Sequence, residues 1–354
     1  FVVLYLKTSA LEFLTCKVQG GCTMKKQFLL FLFALPILVF SLSAFAQDTN
    51  VTGDLRVTYI NVGQGDAIFI QCPTKEHSML IDAGDTRYPG SSKNFKEAMQ
   101  KLVPGQNGTI DVVVGSHPHA DHLGSTNWVF KNYSVSKYVD DGVQYESSLY
   151  SNLMETVYEQ SSSGKLKYET AEDAEKDFVD FCPAKNVQAE IISPSNGFEN
   201  CNNPNNCSVL IKVTYEKSSF LFVGDAEHEE EYELLGSKKT KKELNSDVLK
   251  AGHHGSNTSS SLGFVKAVSP EIVVISVGEK NVGTNKGYKH PQVNPINSFN
   301  RVLKTAEYRA EEIEAYDKEK KEWVKTKVKK GIYLTVLDGD VVIVSDGKKI
   351  WKEE

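Results

Sequence analysis

The protein has 354 residues, of which 40% are hydrophobic and 24% charged, an ordinary composition for a globular chain able to bury a sizeable core. The net charge of −6 gives no overall positive surface for nucleic acid or for anionic membranes. This charge weakens the hypothesis of a nucleic-acid partner without excluding it.

The first 46 residues read as segments outside the fold. The stretch "MKKQFLLFLFALPILVFSLSAFAQ" begins at Met24, and two lysines precede an apolar run that ends in Ala-Phe-Ala, the pattern of a secretory signal peptide. A membrane anchor needs ~20 apolar residues and does not explain that ending. We therefore expect an over-extended gene start over 1–23, a signal peptide over 24–46 cleaved near Ala46, and a single exported domain over 47–354 without a membrane anchor.

Four cysteines follow the predicted signal peptide, and an even number in an exported chain is compatible with disulfides. Cys201 and Cys207 flank "NNPNN", whose Pro and Asn residues favour a turn, so we predict a disulfide between them. The pairing of Cys72 and Cys182 stays open. Without a close Cys-x-x-Cys pair, a cysteine metal site is disfavoured.

In chain order, strands are predicted at "LRVTYINV" (55–62), "DAIFIQC" (66–72) and "SMLIDAG" (78–84), followed by a helix at 94–103 and a buried strand, "TIDVVVGS", at 109–116. Residues 134–200 are more polar and resemble an insertion or a long helical connection. The last segment, "GIYLTVLDGDVVIVSDGKKIW", predicts a hairpin across Asp338-Gly339. We expect one domain with about a dozen strands.

Several buried strands end in a polar turn that carries His or Asp. Besides 109–116, this pattern recurs in "SSFLFVGDAEHEEEYELL", in "SDVLKAGHHGSNTSS", and in "EIVVISVGEKN" followed by "YKHP". Polar groups at one end of several strands converge on one pocket even when they are far apart in sequence. The pattern therefore predicts one site built from several strand ends.

The densest of these turns is "SHPHADHLGS", residues 116–125. Its His117, His119, Asp121 and His122 would compete for protons if they were merely packed together, whereas a divalent cation is well suited to imidazole and carboxylate ligands. Because structural zinc sites usually take four closed ligands, often cysteine, and this motif has none, a catalytic site is favoured. The spacing would allow His117 and His119 to share one cation while Asp121 and His122 turn towards a second.

These motifs together resemble the metallo-β-lactamase superfamily. "HPHADH" is similar to its His-x-His-x-Asp-His signature, and "INVGQGDAIFI", "LIDAG", "FLFVGDAE", "DVLKAGHHGS" and "VISVGEKN" resemble, in order, the lactamase-like domain of ComEC/Rec2 competence proteins from about 55 to 300. The resemblance implies an α/β fold, a four-layer αβ/βα sandwich with the metal at one edge. Together with the signal-peptide pattern, the resemblance leads us to expect a stand-alone relative that is secreted or periplasmic after cleavage near Ala46.

The resemblance also implies a ligand set. Its pattern makes His117 and His119 ligands of a first metal, and Asp121 and His122 ligands of a second. Asp225 would bridge the two ions, and either His253 or His254 would complete the second site; His253, which directly follows Gly252, is preferred. The family pattern makes Asp82 a support for the histidine loop from behind the ligands, while Asp66 in "GQGD" would lie near the site. His290 in "KHP" is either a substrate or leaving-group contact or an ordinary surface histidine.

One departure from the wider superfamily concerns the first metal. Many members supply it with a third histidine before the bridging aspartate, but here that stretch is "NNPNNCSVLIKV". The first site would then be weak, rely on water or prefer manganese to zinc. One or two divalent ions, Zn or Mn, are therefore expected.

The resemblance implies hydrolysis by a metal-activated water, with Asp121 and His290 as the catalytic candidates. A phosphodiesterase or nuclease acting on DNA or a phosphate-bearing wall polymer is favoured. Alternatives are hydrolysis of a lactone, a lactam or a carboxylic ester, and a binding relative without catalysis. The sequence leaves the substrate and the oligomeric state open.

Overall fold

The computed structural model describes residues 53–105, 108–174, 179–192 and 203–354, which belong to one compact unit. The predicted gene-start extension, signal peptide and cleavage site lie outside the described residues. Cys201 does too, so the Cys201–Cys207 disulfide stays a prediction. No helix in the described part of the chain is long and apolar enough to cross a membrane.

The strands within the described ranges are β1 Leu55–Tyr59, β2 Ile68–Gln71, β3 Ser78–Ile81, β4 Thr109–Val114, β5 Ser134–Asp140, β6 Lys167–Thr170, β7 Val187–Ile191, β8 Ile211–Tyr215, β9 Ser218–Phe222, β10 Val248–Lys250, β11 Ile272–Ile275, β12 Ile313–Asp317, β13 Glu322–Thr326, β14 Ile332–Leu334, β15 Val341–Ser345 and β16 Ile350–Lys352. The α-helices are α1 Pro89–Leu102, α2 Ala120–Leu123, α3 Thr126–Asn132, α4 Ser148–Ser162, α5 Ala171–Ala174, α6 His228–Gly236, α7 Lys238–Glu243, α8 Leu262–Val268, α9 Asn285–Tyr288, α10 Val293–Val302 and α11 Thr335–Asp338.

Two large sheets face each other. One has eight strands in the order β16-β15-β1-β2-β3-β4-β5-β6, and the other has six in the order β14-β11-β10-β9-β8-β7. A core that includes Val57 and Phe222 lies between the sheets. A second core packs α1, α3 and α4 on the outer face of the eight-stranded sheet, and a third packs α8 and α10 on the other sheet. The predicted four-layer αβ/βα sandwich is confirmed.

Alternation along the strands sends side chains into different cores. In β9, Phe220 and Phe222 enter the core between the sheets, whereas Leu221 enters the core under the helices. This period of two follows from the strand pleat, since successive side chains point to opposite faces. Because both faces are covered, these strands read as continuous apolar runs.

The parallel strands place the polar turns at one edge of the sandwich. β3 pairs in parallel with β4, and β10 pairs in parallel with both β9 and β11. Their carboxyl ends lead to the turns that begin near Asp82, Ser116, Asp225, Gly252 and Val277. Polar groups from distant parts of the sequence therefore meet at the ends of neighbouring strands.

Two expectations about chain organisation are wrong. Residues 134–200 are not an insertion, because β5 and β6 extend the eight-stranded sheet and β7 extends the six-stranded one. The hairpin across Asp338-Gly339 does not form, since β14 and β15 lie in different sheets; the antiparallel pair is β15 with β16. The polar residues of the edge strands β6 and β7 made 134–200 look like an insertion. The Asp-Gly pair is a turn signal, but it does not indicate that α11 lies between β14 and β15.

The cysteine pairing left open by the sequence is resolved in one case. Cys72, which follows β2, forms a disulfide with Cys182, which precedes β7, across a sequence separation of 110 residues. The bond therefore links segments attached to different sheets.

Candidate metal centre

The histidine loop connects β4 to α2 and is held against the turn that contains "GQGD". The backbone N–H of Asp66 donates to the Asp121 carbonyl at 3.1 Å, and that of Ala83 donates to the His122 carbonyl at 2.7 Å. Gly65 has φ of 136°, and a Cβ there would lie 2.4 Å from the Asp121 carbonyl oxygen. Only glycine is compatible with so close an approach of the two loops.

Four buried residues from separate segments of the chain form the centre: Asp66, His122, Asp225 and His254, whose ligand-type atoms all lie within 4.8 Å of one another. The Nε2 atoms of His122 and His254 and the Oδ1 atom of Asp225 are buried without a hydrogen-bond partner. Buried polar atoms are ordinarily satisfied, so a converging group of atoms without hydrogen-bond partners is the arrangement expected of cation ligands. Nitrogen and carboxylate oxygen donors fit Zn²⁺ or Mn²⁺, and the residues present therefore fit a divalent cation.

The two imidazoles are oriented from behind. His122 Nδ1 lies 2.7 Å from Asp82 Oδ2, and His254 Nδ1 lies 2.9 Å from the Ser276 carbonyl oxygen. Since a carboxylate and a carbonyl can only accept, these Nδ1 atoms carry a proton, and each ring points its Nε2 towards Asp225. The distances from Nε2 to the Asp225 carboxylate are 3.3 Å for His122 and 3.4 Å for His254.

The charges around the centre favour a cation. Burial disfavours a charged ring at His122, but Asp225 and Asp82 outweigh burial and raise the pKa of His122 well above its ordinary value. Burial alone would raise the pKa of Asp225, but His254 and His122 lower it well below its ordinary value. The neighbourhood thus attracts positive charge, which a divalent ion would supply in place of the His122 proton.

Lys250 at the end of β10 is part of the centre, and sequence reasoning missed it. Its side chain is fully buried, forms an ion pair with Asp66, donates to the Gly224 carbonyl at 2.6 Å and lies 3.7 Å from Asp225. Burial disfavours the ammonium, but Asp66 and Asp225 outweigh it and raise the pKa of Lys250. The available signal was a lysine within an otherwise apolar central strand, where a charge needs a partner.

His117 and His119 lie beside the centre but in a different electrostatic environment. His117 Nε2 is 3.0 Å from His119 Nδ1 and 3.9 Å from Asp225 Oδ2. Burial and the neighbouring His122 lower the pKa of both rings. In the stretch "NNPNNCSVLIKV", Ser208 Oγ lies 3.5 Å from His117 Nδ1 and accepts the Asp225 N–H at 3.0 Å. The stretch thus supports the backbone of Asp225 instead of adding an imidazole ligand.

The adjacent histidines of the "GHHG" turn face different groups. His254 is buried at the centre, and its Nε2 is 3.8 Å from Asp121 Oδ2. His253 is partly buried; its Nδ1 lies 3.1 Å from Glu227 Oε1, and its Nε2 lies 3.6 Å from Asp225 Oδ2. The sequence favours His253 as the metal ligand, but the geometry favours His254 in the buried centre. The left-handed φ values, 46° at His253 and 54° at His254, turn the two side chains apart.

His290 is buried at the edge of the same site. The Gly278 N–H donates to Gln64 Oε1 at 3.2 Å, which fixes the orientation of the Gln64 side-chain amide. Gln64 Nε2 therefore donates to His290 Nδ1 at 3.2 Å. The ring then carries its proton on Nε2. Burial and the neighbouring His253 lower the pKa of His290, so the neutral donor form is favoured. Sequence reasoning missed Gln64, although it lies between the two glycines of "GQGD".

A cleft of about 670 Å³ opens onto the centre. Its floor includes the carboxylates of Asp121 and Asp225 and the rings of His253, His254 and His290, while Tyr288, Tyr316 and three lysines contribute to its walls. The volume falls within the ~300–1,000 Å³ range of small-molecule sites. Candidate ligands and proton donors are therefore reachable from solvent.

Comparison with known proteins gives the family. A family model described as the metallo-beta-lactamase superfamily matches residues 60–279. ComE operon protein 3 of Bacillus subtilis (strain 168) is 24% identical over 303 residues, which are 81% of this chain and 34% of that protein. Competence protein ComA of Neisseria gonorrhoeae is 29% identical over 242 residues, 67% of this chain and 28% of that protein. The chain spans about a third of the length of these curated relatives.

A solved diphosphatase from the PhnP family aligns with a TM-score of 0.39 and 11% identity over 79% of this chain and 94% of that one.

The family model covers 220 of the 354 residues, counted from 60 to 279, which is more than half of the sequence. On that match, the chain belongs to the metallo-β-lactamase superfamily, whose members use divalent metal ions.

Proposed function

We propose that the protein is a metal-dependent hydrolase of phosphodiesters. The observation that carries the proposal is the set of buried, partnerless donor atoms on His122, His254 and Asp225 at the floor of an open cleft. The phosphodiester class is supported by the lysines in the cleft walls, which suit an anionic substrate better than a neutral lactone or lactam. It is also supported by similarity to a relative named as a competence protein.

The cation would be held by His122, His254 and Asp225. Asp121 would lie on the cleft side of the cation. Asp66 would lie behind it, where the ammonium of Lys250 balances the charge of the Asp66 carboxylate. A divalent ion in such a site lowers the pKa of a water molecule to roughly 7 and offsets charge on phosphoryl oxygens. The protein's own groups do the rest. Asp121 is 8% exposed and faces the cleft, where it can accept a proton, and the Nε2–H of His290 can donate to an oxygen of the substrate.

The test is to strip the purified protein with a chelator, reload it with Zn²⁺ or Mn²⁺, and assay a panel of phosphodiesters, lactones, lactams and esters. We expect phosphodiester turnover only after reloading. Asp121→Asn should lower kcat/KM by two or more orders of magnitude without loss of the folded signal, whereas Asp180→Asn, an exposed aspartate outside the cleft, should not. Turnover of lactones or lactams with intact phosphodiesters would contradict the substrate class, and full activity of Asp121→Asn would contradict the mechanism.

We also propose that the protein is secreted or periplasmic, because residues 24–46 carry the signal-peptide pattern. Intact mass of the exported protein should correspond to a chain that begins at Gln47. A membrane-retained product that keeps residues 24–46 would contradict this proposal.

A further inference from the structure

The hairpin of β12 and β13 lies at the mouth of the cleft. It forms a two-stranded sheet apart from the two large ones, and its turn, residues 318–321, connects the strands. Lys318 and Lys321 from this turn line the same cleft as Asp121, Asp225 and His254. The fold itself does not use these two lysines, because they belong to neither large sheet and to none of the three cores.

The hairpin is fixed to the site on two sides. The Tyr316 N–H donates to the Pro291 carbonyl at 2.8 Å, which ties β12 to the segment that carries His290. On the other side, Lys280 Nζ donates to Glu314 at 2.7 Å and lies 5.4 Å from the centroid of the Trp323 ring. The position of the turn relative to the metal centre is therefore set by both a backbone and a side-chain contact.

The charges of the turn are distributed unevenly. Lys320 forms an ion pair with Asp317 at 3.5 Å and does not line the cleft. Lys318 and Lys321 form no ion pair with any described residue, so their charges stay uncompensated beside the cleft. Two ammonium groups without an ion-pair partner, beside the cleft that opens onto the candidate metal centre, are suited to the phosphates of an anionic substrate.

An aromatic ring completes this part of the cleft. Tyr288 is 48% exposed although it lines the cleft, and its ring stacks on His290 at an interplanar angle of 17° and a centroid distance of 5.9 Å. Stacking on the buried His290 holds the ring in place while leaving it accessible. Such a ring is a platform for a nucleobase, since unpaired bases stack on accessible aromatic side chains whatever their sequence.

We propose that Tyr288, Lys318 and Lys321 form a subsite for the nucleotide next to the scissile phosphodiester, with the lysines on its phosphate and the tyrosine ring against its base. The inference rests on the proposed phosphodiesterase function and extends it. The preferred substrate is then an unpaired nucleotide chain, because a paired base cannot stack on Tyr288 and an isolated phosphodiester leaves the lysines unused.

The test compares two substrates of the metal-loaded protein: ten-residue oligothymidylate, which has neighbouring phosphates and bases, and bis(p-nitrophenyl) phosphate, which has neither. For Lys318→Gln/Lys321→Gln, we expect the ratio of kcat/KM for the oligonucleotide to kcat/KM for the small diester to fall at least tenfold, mainly through KM. The slope of log affinity against log salt should fall by about 0.7 for one lost phosphate contact on a single strand. Tyr288→Leu should lower the same ratio, and poly(glycerol phosphate), which has no bases, should be cleaved less efficiently than the oligonucleotide.

Lys320→Gln/Lys325→Gln is the matched control, since it removes the same charge from the same hairpin outside the cleft. An equal fall in the ratio for both double variants would overturn the subsite, and so would an unchanged ratio for Lys318→Gln/Lys321→Gln while the small diester is hydrolysed. If the wild type hydrolyses neither substrate, the proposed function fails. Fluorescence anisotropy with labelled oligothymidylate then tests the subsite, which predicts weaker binding by the Lys318/Lys321 variant and not by its control.

Discussion

At the scale of single residues, His122 shows how the centre depends on protons when no cation is bound. Its ring faces the carboxylates of Asp82, Asp225 and Asp66 and the rings of His117 and His254. The carboxylates raise the pKa of His122 above its ordinary value of 6.5 in the folded protein. The stabilisation from its proton is therefore complete below pH 6.5 and is lost as the pH rises through the folded pKa.

We accordingly expect the free energy of unfolding of the metal-free protein to fall as the pH rises above 6.5, with His253, whose pKa is also raised, contributing. His122→Asn should reduce this slope, whereas His228→Asn, on the exposed face of α6, should keep it. Urea titrations at several pH values measure the slope. An identical slope in the wild type and His122→Asn would contradict the assignment.

Lys250 is the second residue with a testable role. Removing one partner of a buried ion pair leaves the other charge uncompensated, which costs about 3–5 kcal/mol. Lys250→Met should destabilise the metal-free protein by that amount because Asp66 loses its partner. Lys250→Met/Asp66→Asn should be less destabilised than the single variant, since no buried charge is left alone. Urea denaturation of the three proteins measures both, and a single-variant cost below ~1 kcal/mol would exclude the role.

At the scale of elements, the Cys72–Cys182 bond joins the end of β2 to the segment before β7 over 110 residues of sequence. Closing so long a loop restricts the unfolded chain, and losing a native disulfide costs about 2–5 kcal/mol. We expect Cys72→Ser/Cys182→Ser to lower the free energy of unfolding within that range under non-reducing conditions. Adding reductant should lower the wild type towards the variant; an unchanged unfolding midpoint in both experiments would show that the bond is energetically neutral.

At the scale of the whole molecule, a cation at the centre would join segments from both sheets: His122 follows a strand of the eight-stranded sheet, and Asp225 and His254 follow strands of the six-stranded one. A ligand that binds only the folded state stabilises it by about 2.7 kcal/mol at a free concentration of 100 times Kd. Saturating Zn²⁺ or Mn²⁺ should therefore raise Tm by several degrees over the chelated protein. Asp225→Asn should shrink this difference and Asp180→Asn should preserve it, as calorimetry can show; equal shifts in both variants would place the ion elsewhere.

Much of this protein was determined by its sequence alone. The strands at 55–59, 68–71, 78–81 and 109–114 follow from β-branched and apolar runs, and the family fold follows from motifs in a fixed order. The "SHPHADHLGS" turn was equally visible, because its ligand-type residues are neighbours along the chain. Local pattern suffices wherever the relevant residues are covalently close.

Only the tertiary structure decided which distant groups meet. Nothing local distinguishes His254 from His253; the left-handed backbone at both residues sends the His254 ring to Asp225 and Asp121 and places the His253 ring between Asp225 and Glu227. Lys250 gained its role because a parallel neighbour, β9, brings Gly224 beside it. The Cys72–Cys182 pair and the hairpin turn at the cleft were likewise set by packing between sheets and loops, since sequence specifies local backbone preference whereas contact between remote side chains depends on the assembled layers.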